Sequence, residues 1–118
     1  MDKDVFYLLG VTLILMHEMD AVRCKEWRIF PGLSYLSDSS GFIVFMLVHI
    51  ALFYGLLMMW NSGSESFRTG FNFFLVVHVG LHILFLKHKN NLFKDWISWS
   101  IIIGAGACGT LDLLIKKY

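Results

Sequence analysis

The stretch GFIVFMLVHIALFYGLLMMW, residues 41–60, decides the fold. It carries no charged residue, and its only strongly polar side chain is His49. At about 1.5 Å of helical rise per residue it reaches across a hydrocarbon layer about 30 Å thick. Its polar and apolar residues do not alternate with a period of two, so a half-buried strand does not fit. Three further apolar runs can also span as helices: residues 5–22, which is short and polar in its last third, 70–87 and 96–115. The expected fold class is therefore all-α, a polytopic membrane protein built as a bundle of four transmembrane helices. Residues 1–118 form one transmembrane domain in this reading.

Composition points the same way. The chain has 118 residues, 57% hydrophobic and only 16% charged, against about a quarter charged in soluble domains. A soluble chain of this size could not bury so much apolar surface. The lipid bilayer is thus the first partner. A net charge of +1 gives no reason to expect nucleic acid. Two cysteines, Cys24 and Cys108, sit at different depths and make no disulfide framework. The start, MDKD, is not a cationic leader, and no removable signal peptide is expected.

The connections carry turn and interface chemistry. Ser37–Asp38–Ser39–Ser40 supplies caps for the second helix, residues 61–66 form a tight polar turn, and Asn91 is placed to cap the fourth. Trp27, Trp60, Trp96 and Trp99 lie at span ends, where indole rings anchor. Residues 23–36 are expected to lie along the membrane surface. Arg23, Lys25, Arg28, Lys87, Lys89 and Lys94 fall on one side, against Lys3, Arg68, Lys116 and Lys117 on the other. The positive-inside rule then places both termini outside, in a multi-pass protein of the cytoplasmic (inner) membrane. In the last span, Gly104, Ala105, Cys108 and Gly109 let another helix approach closely. That helix belongs either to the same bundle or to a second copy in a homo-oligomer.

Against this apolar background the segment MHEMDAVRCKEWR, residues 16–28, is unusual. His17, Glu18 and Asp20 stand inside the end of the first span. Counted from that face, His17 and His82 lie roughly 8 Å deep and His49 roughly 12 Å. His78 is one turn deeper than His82 and shares its helix face. Histidines from three spans can therefore meet at one level. Imidazoles with carboxylates are the natural ligand set for zinc or non-haem iron. His17, Asp20, His49, His78 and His82 are the candidate metal ligands. Glu18 and Glu26 are the candidate acid–base residues of a hydrolytic centre. A b-type haem with His49 and one of His78 or His82 as axial ligands is the other cofactor these residues allow. A non-enzymatic scaffold, with the polar groups only holding helices together, is the third reading. His17–Glu18–Met19–Asp20–Ala21 lacks the second histidine that a zincin helix needs.

Together, His17, Glu18, Asp20 and Ala21 followed by Glu26, Trp27 and Arg28 resemble the HE-x-DA…EWR signature of a family of short bacterial four-span membrane proteins of unknown function. Length and span layout are similar over nearly the whole chain. There is a looser resemblance to small membrane proteins with a His-x-x-Glu-Glu motif, matched here only by His17 and Asp20. The resemblance implies fold and location, and carries no activity.

Overall fold

The computed structural model describes residues 3–116. It is all-α, with helices α1 (Val5–Arg23), α2 (Asp38–Asn61), α3 (Glu65–Leu84) and α4 (Trp96–Lys116). A single 3-10 turn, Glu26–Arg28, lies in the first connection. All four helices are long and apolar enough to cross a membrane, by length and composition.

Helix starts follow local chemistry. Ser37 caps α2 by accepting from the Ser40 N–H at 3.3 Å. α3 begins at Glu65, earlier than the apolar run suggests. Ser64 accepts there from the Phe67 N–H at 3.2 Å, and Glu65 complements the helix dipole in the first turn. Asp95, not Asn91, caps α4, taking the Ser98 N–H at 2.8 Å. Asn91 instead braces the preceding loop, accepting from the Phe93 N–H and donating to the Leu86 carbonyl, both at 3.1 Å.

Helices α1, α3 and α4 form the packed centre, with Ile14, Leu75 and Ala105 buried between them. Gly109 lets α4 sit directly on α3: a Cβ there would lie 2.8 Å from the Asn72 carbonyl oxygen. Gly104 faces Leu13 of α1 across 3.2 Å on the same measure. The small residues of α4 are thus packed against helices of the same chain. A second cluster, Ala21, Cys24, Trp27, Ile29, Phe45, Phe93 and Ile102, closes the end where α1 stops.

Helix α2 stands apart. It is apolar on every side and buries only Gly41 and Phe45. Polar and aromatic clasps hold it. Asp38 accepts from the Trp27 Nε1–H at 3.2 Å and pairs with Arg28 and Lys25. Trp60 stacks on Tyr7 with ring centroids 4.7 Å apart. Trp27, expected as an interfacial anchor, is instead buried against Gly41, where any side chain would collide with its ring.

At the opposite end Arg68, expected in a loop, is buried within α3. Its Nε and Nη2 donate to both Asp112 oxygens at 2.9 and 2.5 Å. Its Nη1 reaches Asp4 at 2.5 Å, and the Lys3 carbonyl accepts from Nη2 at 2.9 Å. The guanidinium lies over the Tyr7 ring, and Asn72 Nδ2 adds a bond to Asp112 at 2.6 Å. This cluster ties the ends of α1, α3 and α4 together.

Candidate metal centre

His17 points from α1 into the packed centre and is fully buried. From α3, His78 and His82 meet it on one face because they are four residues apart. The His17 ring centroid is 4.5 Å from that of His78 and 4.8 Å from that of His82. Phe93 stacks beside His17 at 5.4 Å and edges against His82 at 4.7 Å, completing an aromatic wall.

The three imidazoles each offer a nitrogen within 4.8 Å of the other two. The Nε2 atoms of His78 and His82 are 3.2 Å apart, close to the spacing of about 3.4 Å that two tetrahedral zinc ligands adopt. Both ring nitrogens of His17 and the Nδ1 of His78 are buried and have no hydrogen-bond partner among the described residues. An unsatisfied buried polar group costs about 1–3 kcal/mol. This buried cluster is able to chelate a metal ion.

Glu26 comes back under the bundle. Lys25 adopts a left-handed backbone with φ of 50°, an uncommon state for a residue with a side chain. The chain reverses there, leaving Glu26 Oε2 3.7 Å from His17 Nε2. Burial, reinforced by the neighbouring Glu18 carboxylate, pushes the Glu26 carboxyl up to about 8.

Not every candidate converges on the histidines. Glu18, turned about 100° from His17, faces α2, with its Oε2 2.6 Å from His49 Nε2. His49 therefore meets Glu18 and is not among the three clustered imidazoles. Asp20 shares the His17 face but sits one turn nearer the helix end. There it is engaged by Ser98 Oγ of α4 and by Arg23 Nε at 2.7 Å. Arg23 also bridges to Asp95 at 2.7 Å. The Ser98 N–H and the Arg23 guanidinium hold the Asp95 carboxyl below the usual range. These links fasten α1 to α4 just below the histidines. Ser98 and Asp95 have no signal in the sequence beyond lying at the start of the last span.

The protein defined by this fold and site is a small four-helix protein of membrane-spanning character with a buried histidine cluster. It belongs to the Family of unknown function (DUF6713), whose model matches residues 3–118. No curated protein and no solved structure matches the chain.

Proposed function

We propose that this chain is a membrane-embedded metalloprotein in which His17, His78 and His82 hold a divalent ion, zinc or iron. The observation that carries the reading is one ring nitrogen from each of three buried histidines gathered within ligand distance, with both nitrogens of His17 and the Nδ1 of His78 otherwise unpartnered among the described residues. An ion would take one nitrogen from each ring and so relieve part of that unmet bonding. Three protein ligands leave a position for water, whose proton the ion makes easier to remove. Glu26, beside His17, is then the acid–base residue of a metal-dependent hydrolase acting on a substrate carried in the lipid or its interface.

The location we propose is the cytoplasmic membrane of a bacterium, with both termini outside. The excess of Lys and Arg in the first and third connections, six against four on the opposite side, supports this orientation.

Metal analysis of the full chain, purified gently in detergent without chelator, tests the reading. We expect bound zinc or iron, lost in His17→Ala and His82→Ala. The loss in affinity should exceed the roughly 10–100-fold that removing an outer partner of a ligand costs. Metal-free protein whose melting point does not respond to added zinc or iron would overturn it in favour of a structural polar network. A Soret band on adding haem would move the assignment to haem.

A further inference from the structure

We propose that the connection between α3 and α4 is a docking surface for anionic phospholipid, with Lys87, Lys89 and Lys94 taking the phosphate headgroup. The proposal rests on the four helices crossing a bilayer and needs no metal. It puts the lipid at the end of the bundle that holds the histidines.

The way charge is shared at that end carries the argument. Arg23, Lys25, Arg28, Lys87, Lys89 and Lys94 all lie there, and the structure divides them into two sets. Arg23 is held by Asp20 and Asp95, while Lys25 and Arg28 are held by Asp38. Glu18 and Glu26 face His49 and His17. Every carboxylate at this end is therefore engaged. Lys87, Lys89 and Lys94 are exposed and have no acidic partner among the described residues. The uncompensated charge is thus gathered in one short connection, which calls for an anion from outside the chain. An ammonium meets a phosphate as a compact point charge, with no fixed geometry to satisfy.

The surroundings select a lipid over a soluble anion. Leu84, Leu86, Leu92 and Trp96 stand exposed among and beside the lysines. Trp96 opens α4 and is 78% exposed, at the level where indoles sit among headgroups. Acyl chains cover such side chains while the ammonium groups reach the phosphates. A headgroup with its own cation offsets that attraction, and one with net negative charge does not. The connection is also shaped in advance. Its Asn91 N–H bonds the His88 carbonyl at 3.0 Å and its Lys94 N–H the Leu92 carbonyl at 2.9 Å. A loop already fixed loses little freedom on binding. Phe93 packs beside His17 and His82, and Lys94 is the next residue, so the headgroup is held beside the histidine cluster.

Spin-labelled lipids test this in phosphatidylcholine bilayers holding the full chain, since EPR separates lipid restrained at the protein from free lipid. Spin-labelled phosphatidylglycerol should associate more strongly than spin-labelled phosphatidylcholine, and rising salt should weaken the preference. Equal association of the two, or a preference that salt leaves unchanged, would overturn the proposal without any variant. Inorganic phosphate should compete no better than chloride at equal ionic strength; stronger competition would overturn the lipid in favour of a soluble phosphate. Lys87→Gln, Lys89→Gln and Lys94→Gln should each lower the relative association by up to about fivefold. The three changes together should abolish the preference, with melting checked to show that the variant folds. Lys3→Gln with Lys116→Gln, at the opposite end, should keep it. A preference that survives the triple change, or that the opposite pair abolishes, would overturn the assignment to this connection.

Discussion

The two ends of the bundle bury polar groups in opposite ways. Around Arg68, almost every donor and acceptor is matched: both Asp112 oxygens, Asp4, the Lys3 carbonyl and Asn72 Nδ2 all take part. Among the described residues only Asn72 Oδ1 is left over there. Around His17 the reverse holds. Three imidazoles lie ring against ring, and both nitrogens of His17 and the Nδ1 of His78 have no hydrogen-bond partner among the described residues. Desolvation opposes both arrangements, but only the first is complete from the chain itself. Burial of polar groups therefore has two uses here, and hydrogen-bond satisfaction tells them apart. The matched end fastens helices, and the unmatched end is shaped for something else to bind.

Replacement of Arg68 should have the largest effect. Arg68→Ala leaves Asp112 buried and uncompensated, and should cost about 3–5 kcal/mol. The double change Arg68→Met with Asp112→Leu should recover most of it, since removing both charges leaves none unpaired. Reversible unfolding in mixed detergent micelles measures both. A single-variant loss below about 1 kcal/mol would break the comparison, because the matched end would not be fastening anything.

At the other end, His17→Leu should change the stability of metal-free protein by less than about 1.5 kcal/mol, the range of a near volume-conserving core swap. No hydrogen bond among the described residues is lost there. The same unfolding assay with chelator present decides it. A loss as large as that of Arg68→Ala would mean that the histidines themselves hold the helices.

The smallest effect belongs to the rim below the histidines. The Asp95 carboxyl is held below its usual range by the Ser98 N–H and Arg23. Its contribution is therefore fully present above the unfolded carboxylate value of about 3.9. It is lost as pH falls through the lower, folded value. Asp95→Asn should flatten the acid side of the stability curve and change little at neutral pH. Melting curves taken across the acid range would show it; an unchanged acid side would mean that Asp95 is not coupled to folding.

Much of this was legible in the sequence, for definite reasons. Apolar runs of membrane-crossing length fix four helices, and the spacing of His78 and His82 fixes their common face. Depth alone brought His17, His49 and His82 to similar levels, and depth says nothing of rotation. Helix α2 is apolar all round, so no polar stripe tells which way His49 turns, and the structure turns it to Glu18. Asp20 shares a face with His17, but one helical turn is enough to put it against Ser98. The return of Glu26 depends on one left-handed residue, Lys25, whose side chain gives no hint of it. Arg68 and Asp112 are 44 residues apart. Each stands near a span end, where a charge reads as an ordinary boundary.

The pairing of α1 with α4 sets the order of events during synthesis. A chain emerges from its N-terminus, so α1 reaches the membrane first, carrying His17 and Asp20. Its main neighbour, with the Ser98 that engages Asp20, arrives last. Until then these polar groups must be sheltered by water, headgroups or the insertion machinery. α2, apolar on all sides, can settle without waiting. Slowing the release of the final span should therefore expose the first helix, more than the second, to extraction and proteolysis.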